Sequence, residues 1–218
     1  DGCFLNSLGR TFADFKKAGG TLPEDVTDAD RYPKATFGPK FKYDISVAGG
    51  YMFYIGDVSG PTRSRLQDIG IALRKTPEKI PNNPSRVLST WGGILQTGRE
   101  QADFRMRRAL GVRVGNGSGH DHNDPLDLQI WARGVPMCGD GGGRAGYAVP
   151  ANGALTSHNT VVSNLAGGYR WVSSFAPMDG AQYQMAKTSE GYVRQVALID
   201  AGEADSYVVD VFRIKGGE

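Results

Sequence analysis

The chain has 218 residues, 39% of them hydrophobic and 22% charged, and carries a formal net charge of +2. That length can bury a core as one domain, or as a domain with a piece of another. Neither nucleic acid nor membrane is expected as a partner: Lys and Arg never form the stripe that tracks phosphates, and no apolar stretch approaches the about 18 residues of a membrane span.

The first 85 residues read as a partly helical segment. A short helical candidate covers Gly9 to Lys17, and a second covers Arg63 to Lys75, where Leu66, Ile69 and Leu73 form a partial stripe that Pro77 and Pro81 end. Between them lies a long irregular stretch. Such a region buries too little to offset its ordering entropy, so it is expected to pack on something else, with a boundary near Ile80 to Ser85.

From residue 86 onward glycine clusters punctuate runs of β character. The runs are Gly93 to Thr97, Phe104 to Val114, Leu126 to Ala132, Asn159 to Ser163, Tyr169 to Phe175, Gly191 to Ile199 and Ser206 to Ile214. Short strands at this spacing predict a mainly β fold, an antiparallel β-sandwich over residues 86–218 preceded by the short, partly helical N-terminal segment. The last run leads into Gly216-Gly217, where a turn would ordinarily open the next strand, so the chain is expected to be part of a larger protein. Cys3 and Cys138 are too few to define a disulfide framework.

All the histidines lie in one window: His120 and His122 in GHDHND, and His158 in SHNTVV, with Asp140 of CGDGGG midway between the last two. Imidazole and carboxylate are ligands for zinc and similar metals. The separations suit two short strands and a turn, so neighbouring strands can carry one ligand each. On an extended strand His120 and His122 share a face. The same residues also fit a plainer role, as polar loop residues with Asp140 capping a glycine turn.

The segment GHDHNDPLDLQIWARGVPMCGDGGG, followed by SHNTVV and SYVVDVFRIKGG, resembles the β-sandwich of the heparinase II/III family of polysaccharide lyases. The resemblance covers Trp91 to Glu218. GDVSG at Gly56 to Gly60 is similar to the segment that closes the family's α/α toroid before the sandwich. The resemblance implies a zinc ion, or another divalent metal, on His122, Asp140 and His158. It places His120 toward the substrate cleft, as a catalytic candidate. It further implies cleavage of an acidic, uronic-acid-containing polysaccharide by β-elimination, in which a base removes the C5 proton and an acid protonates the C4 leaving oxygen.

Tyr147 is similar in place to a tyrosine lining the family's cleft, and Arg144 beside it is the candidate contact to an anionic sugar. The partners implied are that glycan and the toroid in the rest of the parent chain, and the location implied is periplasmic or secreted. Without the toroid this piece is expected to be inactive alone. Asn123, Pro125 and the short loop from Gly141 to Ser157 depart from the family pattern, and a short loop is expected to change which glycan fits or to reduce the cleft.

Two other classes fit some of the same residues. His122-x-Asp124 with His158 and Arg170 matches the facial triad and carboxylate-binding arginine of a jelly-roll non-haem iron oxygenase, with Asp124 rather than Asp140 as ligand. A non-catalytic carbohydrate-binding module with a structural metal is the other, with Trp131, Tyr169 and Trp171 as stacking candidates.

Overall fold

The structure is a computed structural model describing residues 2–23, 44–48, 51–54, 82–88, 91–115, 122, 124–138, 158–161 and 168–215, with side chains of the first helix from Arg10 onward. The helical candidate at Arg63 to Lys75 and the GDVSG segment lie outside the described residues, as do His120, Asp140, Arg144 and Tyr147. The chain divides into two compact units, Asp1–Ile45 and Ser46–Glu218.

In the first unit, helix α1 spans Gly2–Lys17 and so starts earlier than the Gly9 expected from periodicity. Its end is a glycine cap. The Gly20 amide donates to the Phe15 carbonyl and the Gly19 amide to that of Lys16, with Gly19 at φ +83°, a conformation that glycine reaches without strain. Lys16 and Lys17 in the last turn complement the negative end of the helix dipole.

The second unit is a β-sandwich, as the sequence predicts. One sheet runs in the order β3 (Arg86–Val87), β4 (Gly92–Thr97), β5 (Arg108–Arg113), β6 (Leu128–Ala132), β7 (Val135–Cys138). The other runs β11 (Ser206–Ile214), β10 (Tyr192–Asp200), β9 (Ala181–Thr188), β8 (Arg170–Met178), and every pairing is antiparallel. A short hairpin, β1 (Ser46–Val47) and β2 (Tyr51–Met52), leads to Phe53, whose ring meets Trp131 of β6 edge-on at 6.3 Å. Prolines fall where a strand can spare a donor: Pro136 is on edge strand β7 and Pro177 on edge strand β8.

The core forms where the inner faces meet, from Leu95, Leu110, Val112, Leu126 and Leu128 on one side and Ala186, Tyr192, Val196 and Leu198 on the other. Burying each of the larger side chains stabilises by about 1.5–3 kcal/mol. Polar ties also cross between the sheets. Arg108 donates to Asp200 at 2.9 Å and to Ser206 at 2.8 Å, and Gln184 donates to the Gly93 carbonyl at 3.1 Å.

Several boundaries differ from the sequence reading. The run expected to start at Phe104 begins with a 3-10 turn, Phe104–Met106, because the Asp103 carboxylate caps the Arg105 amide at 3.0 Å. The strand expected at Asn159 to Ser163 is absent from its described part: residues 158–161 form a bend. There the Asn159 amide goes to the Asp127 side chain and its carbonyl to the Leu128 amide, a single rung that cannot propagate a ladder. Strands β7 and β9 were not expected. The signal for β9 was Asp179-Gly180, a two-residue turn closing the β8–β9 hairpin with Gly180 at φ +68°.

Candidate metal centre

The site grows from the connection between neighbouring strands β5 and β6. After Arg113 and Val114 the chain returns through His122 and Asp124, then turns sharply over Asp124-Pro125-Leu126-Asp127 before entering β6. The Asp127 amide donates to the Asp124 carbonyl at 3.1 Å, Pro125 pre-sets the second turn position, and Leu126 occupies the third at φ +57°. This is a type II turn with leucine where glycine is usual. Leu126 is fully buried in the core, and that burial holds it in the left-handed conformation.

Asp127 then fastens the second ligand-bearing segment. Its Oδ1 accepts from the Asn159 amide at 2.6 Å and its Oδ2 from the Gln129 side chain at 3.2 Å, while the Leu128 amide donates to the Asn159 carbonyl. The Thr160 hydroxyl donates to the Pro125 carbonyl. These bonds set His158 beside the turn.

His158 Nδ1 lies 4.0 Å from Asp124 Oδ2 and 3.8 Å from Asp127 Oδ2. Its ring meets that of His122 edge to face, with centroids 5.1 Å apart. One potential ligand atom from each of His122, Asp124 and His158 falls within 4.8 Å of the others, and all three residues are buried. Tetrahedral zinc on nitrogen and oxygen places its donors about 3.4 Å apart, so a small contraction would close the group. Two imidazoles and a carboxylate, shut away from water, are a donor set that fits zinc.

Two arginines surround the carboxylate. Arg113, fully buried, places Nε 3.6 Å from Asp124 Oδ2, donates Nη1 to the Trp91 carbonyl at 3.2 Å and lies over the Trp91 ring. Arg170 is 7% exposed and donates Nη1 to the Gly115 carbonyl at 2.6 Å. Burial pushes its pKa below the ordinary arginine value; Asp124 pulls it up, Arg113 pushes it down, and Glu190 pulls it up. Its buried head is held on the segment just past β5, a poor position for meeting the carboxylate of an incoming substrate.

Of the residues expected at the metal, the structure brings together His122, His158 and Asp124, the carboxylate named in the iron-oxygenase alternative, while Asp140 lies outside the described residues. None of these side chains is carried by a regular strand: His122 and Asp124 sit in the β5–β6 connection and His158 in a bend. Trp131 is fully buried in contact with Phe53 and Tyr54, a packing role; Tyr169 and Trp171 are exposed and 6.5 Å apart. Sequence reasoning missed Asp127, Asn159 and Arg113. The one available signal was the Asp-Pro pair, which favours a turn and so brings the carboxylates on either side of it together.

No protein-family model matches the chain, and no curated protein does. Solved structures do. A heparinase III gene product matches with a TM-score of 0.54 at 14% identity, over 86% of this chain and 33% of that one. Heparan sulfate lyase HepC from Pedobacter heparinus matches with a TM-score of 0.51 at 12% identity, over 78% of this chain and 31% of that one.

The chain shares the fold of part of heparinase III. A further structure titled heparinase III gives a TM-score of 0.52 at 12% identity, again over 33% of its length. At such identities the likeness is one of fold, and the chain spans about a third of the heparinase III structures it matches.

Proposed function

We propose that this chain is the metal-braced sandwich of a polysaccharide lyase that cleaves a uronic-acid-containing glycan by β-elimination. The observation that carries the reading is the gathering of His122, Asp124 and His158 in a sandwich whose fold matches that of heparinase III and heparan sulfate lyase structures. Burial of all three residues argues for a structural metal, because catalytic zinc keeps a position open to water or substrate. His122, His158, Asp124 and Asp140 would make a closed set of four. When bound, the ion would supply a fixed positive charge that neutralises the paired carboxylates and ties the β5–β6 connection to the His158 segment.

The chemistry then falls to residues on the cleft. His120 neutralises the substrate carboxylate or shuttles a proton, Tyr147 serves as proton carrier, and Arg144 binds the anionic sugar, with the opposing wall coming from a toroid elsewhere in the parent protein. A periplasmic or secreted location goes with such a substrate. The test is ultraviolet absorbance from unsaturated uronate products when the full-length protein meets heparan sulfate, chondroitin, hyaluronan, alginate and ulvan. Product on one of these, greatly reduced by Tyr147→Phe and His120→Ala, supports the reading; no product on any of them contradicts it.

A second reading, a non-catalytic carbohydrate-binding module, is favoured by the same burial of the metal group and by the exposed Tyr169–Trp171 pair. Glycan binding with no product in that assay would support it. The iron-oxygenase reading names the same three ligands, but the arginine it needs for substrate, Arg170, is buried on the Gly115 carbonyl, and the fold matches lyase structures.

A further inference from the structure

Arg194 sits on β10 at a position facing the sandwich interior, between Tyr192 and Val196, and is 2% exposed. A lone guanidinium there would cost several kcal/mol, so its surroundings must account for every donor. They do. Nε donates to Asp210 Oδ1 at 3.0 Å and one terminal nitrogen to Asp210 Oδ2 at 2.6 Å, a bidentate pair with β11. That second nitrogen also reaches Asn159 Oδ1 at 3.3 Å. The other terminal nitrogen donates to the Leu126 carbonyl at 2.9 Å and the Asn159 carbonyl at 2.5 Å. The five N–H groups of arginine thus have five acceptors, and the cation lies over the Phe212 ring at 4.9 Å.

The acceptors are not scattered. Leu126 is the strained corner of the turn that begins at Asp124, and Asn159 is the neighbour of His158. We propose that Arg194, aligned by Asp210, is a positioning residue that clamps the two ligand-bearing segments together from the opposite sheet, so that the metal group is assembled before any ion arrives. The proposal rests on the metal reading above and assigns the metal affinity in part to a residue that touches no metal. Lysine cannot replace it, because an ammonium offers three donors from one point and no planar fork.

The test compares Arg194→Lys and Asp210→Asn with Asp200→Asn, which breaks a different buried ion pair, the inter-sheet one with Arg108, about 20 Å away along β10. Zinc affinity is read by chelator competition on the full-length protein, and amide exchange at Leu128 and Asn159 is read without metal. Arg194→Lys and Asp210→Asn are expected to weaken zinc binding about 10–100-fold and to speed exchange at both amides, while Asp200→Asn leaves the affinity within about twofold. Equal losses in all three variants would reduce the effect to general stability and overturn the proposal. Unchanged exchange at Leu128 and Asn159 in Arg194→Lys would overturn the clamp itself. If the wild-type protein takes up no divalent ion, the metal reading fails, and the exchange measurement still decides the clamp.

Discussion

His158 and Asp127 face each other in the buried interior with Nδ1 and Oδ2 3.8 Å apart, while the other Asp127 oxygen holds the amide of the residue next to that histidine. One carboxylate therefore fixes the backbone of the His158 segment and supplies charge beside its ring. Asp127→Asn keeps an acceptor for the Asn159 amide but sets its new NH2 group against the Gln129 donor. A loss of about 1–3 kcal/mol is expected, read as a lower urea midpoint with an unchanged slope.

Leu126 combines a buried side chain with a backbone conformation that leucine disfavours. Leu126→Ala is expected to cost about 2–5 kcal/mol through the cavity it leaves. Leu126→Gly removes one more carbon but relieves the left-handed strain. The glycine variant should thus be as stable as the alanine variant or more so, the reverse of their order at an unstrained core position, and urea unfolding of the pair measures it.

Asp200 should give the acid side of the stability curve a definite contribution. Burial by itself would raise its pKa, but hydrogen bonds from Thr97, Ser206 and Arg108, with the charge of Arg108, hold the carboxyl below its ordinary value of 3.8. The folded state therefore binds this proton more weakly than the unfolded chain does. Its contribution is fully present above about pH 4 and is lost as pH falls through the depressed value. Asp200→Asn is expected to lower the urea midpoint at pH 7 by the equivalent of about 1–3 kcal/mol, with a smaller penalty near pH 3. A penalty equal at both pH values would contradict the assignment.

Gly111 on β5 leaves space for the Phe53 ring: a Cβ there would stand 2.5 Å from Phe53 Cε2. Phe53 is fully buried and packed edge-on against Trp131, so it has little room to retreat. Gly111→Ala is expected to cost about 1–3 kcal/mol and to change the near-ultraviolet dichroism of Trp131. In a Phe53→Ala background the same substitution should cost much less, a coupling that a double-mutant cycle reads directly.

The sandwich was legible because glycine turns and β-rich runs fell at regular intervals, and the boundaries of β4, β10 and β11 lie within about a residue of their runs. Strand β9 escaped notice because Gln182, Gln184, Ala186 and Lys187 carry little β propensity; its place is set by pairing with β8 and β10. The pairing of His122 with His158 could be anticipated from the scarcity of histidine. The approach of Asp124 was named only in the iron-oxygenase alternative; the turn that delivers it was not foreseen, because it puts Leu126 where propensity would not place it. Arg194 was not singled out: alternation sets it on the inward face with Tyr192, Val196 and Leu198, but the acceptors that let a charge sit there come from distant parts of the chain.

The most direct test of the account is the metal content of the purified full-length protein, set beside that of His122→Ala, His158→Ala, Asp124→Ala and Asp140→Ala. The account predicts a tightly held divalent ion, expected to be zinc, at this site in the wild type, lost from both histidine variants and bound more weakly by both aspartate variants. Metal content unchanged by removal of either histidine would contradict it.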